Sequence, residues 1–264
     1  MTSTPVPRHD SVVHYEIEGT GPGLVLVHGV GGGAAKTFGN IAGEFGGTVI
    51  RPDLSGSGQT TDDGGELTLD LLSAQVIAAI EASGKGRVDV LGFSLGAVVS
   101  AAVAAERPDL VRKLVLVGGT ATTTGPRDRF NFTLWRDLLA ADPETFKRFG
   151  TLQAFSPALL DAFGHEGLAQ SLKDDWAPGT GRQLALSIGL DIRPLLGKIE
   201  APTLVVGLAD DQAIPVEGSR ALHAGITGSR LVEVPGGHMD WLVQPGQVLP
   251  HVLDFLGSRH PDAE

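Results

Sequence analysis

Short runs of consecutive apolar residues recur along this chain, and they restrict the folds that it can adopt. The run at residues 23–29 reads GLVLVHG, and similar runs cover residues 87–91 and 110–117. Such runs are typical of strands that are buried on both faces, as in a parallel sheet. A stretch with the apolar spacing of a helix separates each run from the next, at residues 67–82 and 95–106. This alternation predicts an α/β fold, in which helices cover both faces of a mostly parallel sheet.

The same two patterns are present nearer the ends of the chain. Residues 12–18 alternate between apolar and polar side chains, which predicts a strand. Residues 48–51, 201–207 and 230–234 predict three further strands, and residues 216–224 predict a helix between the last two. Residues 241–256 predict one final helix. The strand–helix alternation therefore continues almost to the end of the chain.

The segment at residues 120–198 departs from this alternation. It has helical stretches and scattered aromatic residues but no clear buried strand. We interpret it as a helical cap that is inserted over one end of the sheet. The core domain then comprises residues 1–119 and 199–264.

The composition excludes several classes of protein. The chain has 20 basic and 31 acidic residues, a net charge of −11, which disfavours binding to nucleic acids and to anionic membranes. It has no cysteine, so disulfides, thiolate metal sites and cysteine nucleophiles are excluded. No secretory signal pattern and no apolar run of ~18 residues are visible in the sequence. We therefore expect a cytoplasmic protein without membrane partners.

The sequence Gly92-Phe-Ser94-Leu-Gly96 has the form G-x-S-x-G and lies between a predicted strand and a predicted helix. That context is the one in which this motif presents a nucleophilic serine, because small residues permit a sharp turn that exposes the hydroxyl group. We therefore predict that Ser94 is a nucleophile. A plain strand–helix turn with a solvent-facing serine is the alternative interpretation.

A serine hydroxyl needs an imidazole base, and the imidazole needs a carboxylate that orients it. His238 follows strand 230–234, and Asp210 and Asp211 follow strand 201–207. All of these residues then lie at the carboxyl ends of parallel strands, where ligands bind open α/β sheets. The sequence thus predicts a catalytic group of serine, aspartate and histidine in that order along the chain.

A second motif, His28-Gly29-Val30-Gly31, follows the first buried strand. We predict that the backbone N–H groups of Val30 and Leu95 form an oxyanion hole. His28 is expected to be structural and to pack beneath this loop. Asp53 is expected to organise the glycine-rich turn that follows it.

Together these motifs resemble the α/β-hydrolase family over residues 10–258. The resemblance implies an eight-stranded sheet, and it implies that Asp211, four residues before Pro215, is the catalytic acid, with Asp210 as the alternative. The motifs that carry it are Val-Leu-Val-His28-Gly29, Asp53-Leu-Ser-Gly56-Ser-Gly58, Gly92-Phe-Ser94-Leu-Gly96, Asp211-Gln-Ala-Ile-Pro215, Gly237-His238 and Pro245.

Ser94 also restricts the chemistry that the resemblance implies. Family members that open epoxides or remove halogens use Asp at this position, and epoxide hydrolases use cap tyrosines, whereas the only tyrosine here is Tyr15. We therefore predict a carboxylic-ester hydrolase that acts on an ester or lactone of a small, largely apolar molecule. Two alternatives remain open. In the first alternative, the same residues catalyse C–C bond hydrolysis, perhydrolysis, acyl transfer or cyclisation. In the second, the chain is a non-catalytic binding protein with a hydrolase-like fold.

The expected ligands are small molecules. The histidines form no H-E-x-x-H motif, and residues 31–33 lack the pattern of a phosphate-binding loop, so we expect neither a metal nor a cofactor. The sequence leaves the oligomeric state open. Aromatic residues near Ser94, near His238 and in the cap are candidates for substrate binding, namely Phe93, Phe130, Phe132, Trp135, Phe155 and Trp241.

Overall fold

A computed structural model of the chain describes residues 2–173 and 175–257. Eight strands form one sheet in the order β1-β2-β4-β3-β5-β6-β7-β8. The strands are β1 (Thr2–Pro5), β2 (Val12–Gly19), β3 (Gly23–Val27), β4 (Thr48–Pro52), β5 (Val88–Phe93), β6 (Val111–Val117), β7 (Thr203–Leu208) and β8 (Arg230–Val234). The helices are α1 (Ala34–Phe38), α2 (Leu69–Ala82), α3 (Leu95–Glu106), α4 (Pro126–Ala141), α5 (Pro143–Ala154), α6 (Pro157–Ser171), α7 (Thr180–Ser187), α8 (Arg193–Leu196), α9 (Val216–Gly225), α10 (Asp240–Val243) and α11 (Leu249–Gly257).

The sheet is parallel from β4 to β8, and β1 and β2 pair antiparallel at its edge. The prediction of a mostly parallel sheet is therefore confirmed. Sequence analysis missed β1, which is short, lies at the edge of the sheet and ends at Pro5. Polar edge strands of this kind lack the apolar pattern by which buried strands are recognised.

Alternate residues along the central strands face opposite sides of the sheet. Val25 and Val27 of β3 belong to an apolar core that includes residues of α2 and α3. Leu24 and Leu26 belong to a second core that includes residues of α1 and α11. Because side chains alternate with a period of two, a strand covered on both faces must be apolar throughout. This explains the uninterrupted apolar runs.

The C-terminal segment corrects one prediction, since the single helix expected at residues 241–256 is broken. The first part, α10, ends before Gln244, and α11 begins at Leu249. A 3-10 turn over Pro245–Gln247 lies between them. Pro245 lacks an N–H group, and its ring disfavours a helical conformation at the preceding residue, so the helix cannot continue through it.

Helices α4–α7 follow β6, and α4, α5 and α7 share an apolar cluster that contains Phe132, Phe146 and Leu184. The short helix α8, which we included in the predicted cap, differs from them because its Leu196 belongs to the core beside α3. The division into a core domain and a cap remains an interpretation. Within the described residues, every helix is too short or too polar to cross a lipid bilayer.

Candidate active site

Ser94 lies at the sharp turn between β5 and α3. Its backbone has φ 58° and ψ −122°, a conformation that non-glycine residues rarely adopt. The glycines of the motif are required by space. A Cβ atom on Gly92 would lie 2.3 Å from the carbonyl oxygen of Gly96, and one on Gly96 would lie 2.0 Å from that of Val27. The motif therefore permits a close turn that holds the serine at the carboxyl end of the sheet.

His238 joins this serine to a buried carboxylate. Its Nε2 atom lies 2.9 Å from Ser94 Oγ, and its Nδ1 atom lies 2.6 Å from Asp211 Oδ2. A carboxylate accepts hydrogen bonds, so the Nδ1–H group donates to Asp211 and leaves Nε2 free to accept the serine proton. The three side chains are thus in the geometry that a serine nucleophile needs.

The structure distinguishes the two aspartates. The side chain of Asp211 is fully buried, and its Oδ1 atom accepts a hydrogen bond from the Ile214 N–H group at 2.7 Å. Asp210 is exposed instead, and its Oδ2 atom accepts from the Gly236 N–H group at 3.0 Å. Asp210 therefore connects two loops, while Asp211 is the carboxylate in contact with His238.

Two of the predicted substrate-binding aromatics support the histidine. The Phe93 ring lies 4.7 Å from the His238 ring, centre to centre, and 5.5 Å from the Trp241 ring. Phe93 and Trp241 are both buried in the core on the α11 side of the sheet. The loop that carries His238 is also attached to the α5–α6 junction, because Met239 N–H donates to the Ala154 carbonyl oxygen at 2.7 Å.

The loop that contains Val30 passes beside Ser94, and a side chain from α7 holds it. The Gly31 N–H group donates to Gln183 Oε1 at 2.7 Å. The Gln183 Nε2 atom donates to the Ser55 carbonyl oxygen at 2.9 Å and to Ser57 Oγ at 3.1 Å. Sequence analysis did not identify Gln183, because its partners are more than 120 residues away and it belongs to no motif.

His28 lies beneath this loop, as a buried and hydrogen-bonded residue. Its Nε2 atom accepts from the Leu54 N–H group at 3.0 Å, so its Nδ1–H group donates to the Gly29 carbonyl oxygen at 2.8 Å. Burial lowers the pKa of His28, and this effect exceeds that of the nearby Asp53 carboxylate, which raises it. Asp53 Oδ1 in turn accepts from the Ala34 N–H group at 2.7 Å. Both residues therefore organise the backbone around the Val30 loop.

A pocket opens beside Ser94. Four of the predicted site residues line it, namely Val30, Ser94, Leu95 and Phe132. Sequence analysis did not single out the other lining residues, which are Val98, Gly118, Gly119, Thr120, Thr123, Ser187, Leu190 and Ile214. Most lie on loops and helices with no distinctive pattern, so no sequence signal identifies them.

The other aromatic candidates lie outside this pocket wall. Phe130 of α4 is 75% exposed and does not line this pocket, so its role in substrate binding stays a prediction. Trp135 packs against Phe146 within the cap helices, and Phe155 packs against Phe163. A helix presents different faces to the interior and to solvent, so a cluster of aromatic residues in the sequence spreads over several environments. Among residues 2–173 and 175–257, no cluster of three or more histidine, aspartate or glutamate side chains is arranged to hold a metal ion.

Comparisons with known proteins give a consistent result. A family model described as the α/β-hydrolase fold matches residues 22–245. The chain is 37% identical to a pyrrolizixenacetamide deacetylase from Xenorhabdus hominickii, over 95% of this chain and 96% of that protein. It is 30% identical to a RutD protein from Azorhizobium caulinodans that is assigned as a carbamate hydrolase, over 94% of this chain and 96% of that protein.

Solved structures show the same fold. The protein Rv0554 from Mycobacterium tuberculosis superposes with a TM-score of 0.84 at 26% identity, over 94% of each chain. An enol-lactonase from Burkholderia xenovorans superposes with a TM-score of 0.85 at 20% identity, over 97% of this chain and 100% of the other. The chain therefore belongs to the α/β-hydrolase family and is a hydrolase.

Proposed function

We propose that this chain cleaves a carboxylic ester or lactone of a small, largely apolar molecule through an acyl-enzyme on Ser94. The observation that carries the proposal is the continuous hydrogen-bonded series from Asp211 through His238 to Ser94. Such a series activates a hydroxyl group that is otherwise a poor nucleophile at neutral pH.

The reaction proceeds in two halves. His238 Nε2 takes the proton of Ser94 Oγ as the oxygen attacks the carbonyl carbon, and Asp211 stabilises the resulting imidazolium. His238 then gives this proton to the leaving alcohol, and the bond between that oxygen and the carbonyl carbon breaks. In the second half, His238 activates a water molecule, which hydrolyses the acyl-enzyme and restores Ser94.

The negative charge that develops on the carbonyl oxygen requires hydrogen-bond donors. Leu95 is the first residue of α3, and the first N–H groups of a helix have no partner within it. Val30 and Leu95 line the same pocket as Ser94. Their N–H groups form the oxyanion hole in this proposal, and loss of one such donor typically lowers turnover by about 10²–10³-fold.

Amide deacetylation is a second candidate function. The relative from Xenorhabdus hominickii that is named a deacetylase is 37% identical to this chain over 95% of this chain. The same three side chains suffice for an amide, because His238 protonates the leaving nitrogen just as it protonates a leaving oxygen.

The first experiment is labelling of the purified protein with a fluorophosphonate probe. We expect wild type to be labelled and Ser94→Ala to be unlabelled. Ser100→Ala is a matched control, since this buried serine on α3 has no hydrogen-bond partner for its hydroxyl group and its loss should leave labelling unchanged. Absence of labelling in wild type would contradict the proposal and favour a non-catalytic binding protein.

The second experiment compares p-nitrophenyl acetate with p-nitroacetanilide, which share an acetyl group and differ in the leaving atom. Release of p-nitrophenol that depends on Ser94 supports the esterase proposal, and release of p-nitroaniline also supports the deacetylase. Labelling without turnover of either compound would contradict both and favour C–C bond hydrolysis, perhydrolysis, acyl transfer or cyclisation.

A further inference from the structure

The pocket beside Ser94 lies on the acyl side of the site. A leaving group receives its proton from His238, so the place that it occupies must include that ring. Of the described residues, twelve line this pocket, and His238 is not among them, whereas Ser94, Val30 and Leu95 are. A carbonyl carbon bonded to Ser94 Oγ, with its oxygen between the Val30 and Leu95 amides, directs its acyl chain into this pocket.

This acyl pocket is small. Its cavity volume is about 20 Å³, measured for the centre of a water molecule. A single water molecule needs roughly 10–15 Å³ by the same measure. The pocket therefore has room for one or two groups of the size of a methyl.

Apolar side chains from three different elements form part of the pocket wall. Val98 lies one turn of α3 beyond Ser94, so the two side chains occupy the same face of the helix. Phe132 comes from α4, and Leu190 comes from the loop after α7. Val98 is 3% exposed and belongs to the core of the sheet, so it has little freedom to move aside.

The pocket is also neutral, and its hydroxyl groups are already bonded to the protein. None of its twelve described lining residues carries a charge. Thr123 Oγ1 donates to the Ser187 carbonyl oxygen at 2.7 Å, and Thr120 Oγ1 donates to the Thr122 carbonyl oxygen at 2.9 Å. Ser187 Oγ donates to the Gln183 carbonyl oxygen at 2.9 Å, and the fourth hydroxyl group is that of Ser94, which contacts His238. A carboxylate in this pocket would lose its hydration without gaining a cationic partner.

We propose that the acyl pocket restricts this hydrolase to neutral acyl groups of two or three carbons and that Val98 sets the limit. This inference rests on the proposed acyl-enzyme at Ser94, and it adds the class of acyl group that the enzyme accepts.

The test measures kcat/KM for p-nitrophenyl acetate, propionate, butyrate and hexanoate. An additional methylene group changes kcat/KM by roughly 10–200-fold when a pocket discriminates by size. We expect wild type to prefer acetate over butyrate by at least about 10-fold. We expect Val98→Ala to raise the ratio of butyrate to acetate by about 10-fold, because it shortens a buried side chain of the pocket wall.

Val99→Ala is the matched control. Val99 is the neighbouring residue on α3 and is equally buried, but it does not line the pocket. This variant should leave the ratio of butyrate to acetate unchanged. Leu190→Ala shortens a lining side chain from a different element and should also raise the ratio, so that the inference can be tested if Val98→Ala folds poorly.

The charge requirement is tested with p-nitrophenyl hemisuccinate, which matches butyrate in chain length and adds a carboxylate. We expect Val98→Ala to gain activity toward butyrate but not toward hemisuccinate. Three outcomes would overturn the inference while leaving the proposed function intact. They are equal turnover of acetate and hexanoate by wild type, identical ratios of butyrate to acetate in all three variants, and a comparable gain for hemisuccinate in Val98→Ala. Failure of wild type to hydrolyse any of the esters would overturn the proposed function, and the inference with it.

Discussion

The strained backbone of Ser94 predicts a gain in stability when the nucleophile is replaced by glycine. A non-glycine residue in a sparsely populated conformation of this kind costs about 1–3 kcal/mol. Glycine adopts positive φ angles without this penalty. We therefore expect Ser94→Gly to be more stable than Ser94→Ala, since both lose the hydrogen bond to His238 and only glycine relieves the strain.

The magnitude follows from three opposing effects. Glycine increases the entropy of the unfolded chain, which lowers the free energy of unfolding by about 0.4–1 kcal/mol relative to alanine. Loss of the Cβ atom removes at most about 0.8 kcal/mol of apolar burial, and less here because Ser94 is only partly buried. Subtraction of these two effects from the strain leaves a net gain of about 1 kcal/mol.

Urea titration at equilibrium measures this difference as a shift in the unfolding midpoint at constant slope. A matched control is Ala105→Gly, in the last turn of α3, which should lower the free energy of unfolding by about 0.4–1 kcal/mol because glycine increases the entropy of the unfolded chain. The reasoning is refuted if Ser94→Gly is no more stable than Ser94→Ala, because the observed φ angle would then carry no energetic cost.

Two further predictions concern the residues beneath the Val30 loop. Gln183→Met removes three buried hydrogen bonds, so we expect kcat to fall by up to about 10²-fold with little change in KM. The control Gln170→Met, at an exposed position, should leave both constants unchanged. An unchanged kcat in Gln183→Met contradicts this prediction. Burial lowers the pKa of His28, so the unfolded chain binds a proton that the folded chain excludes. The free energy of unfolding should therefore fall as the pH drops below about 6.5, by up to ~1.4 kcal/mol per pH unit. In urea titrations, His28→Gln should reduce this slope, and the control His165→Gln, at an exposed position, should not. Equal slopes in wild type and His28→Gln refute the prediction.

Local sequence patterns were sufficient to predict the fold class and the tight turn around the proposed nucleophile. The apolar runs identify strands covered on both faces, because side chains alternate with a period of two. Gly92 and Gly96 identify a tight turn, because any larger side chain would collide with a neighbouring carbonyl group. Pro245 was a further local signal, and its effect on the final helix was missed because the apolar spacing continues across it.

The contacts of individual side chains became visible in the folded chain. The family resemblance favours Asp211, and the fold places Asp211 against His238 while the adjacent Asp210 accepts from the Gly236 N–H group. It placed Phe132 in the wall of the acyl pocket and Phe130 on the surface, although they are two residues apart on one helix. These outcomes depend on contacts between segments far apart in the chain, which the apolar spacing of neighbouring residues does not specify.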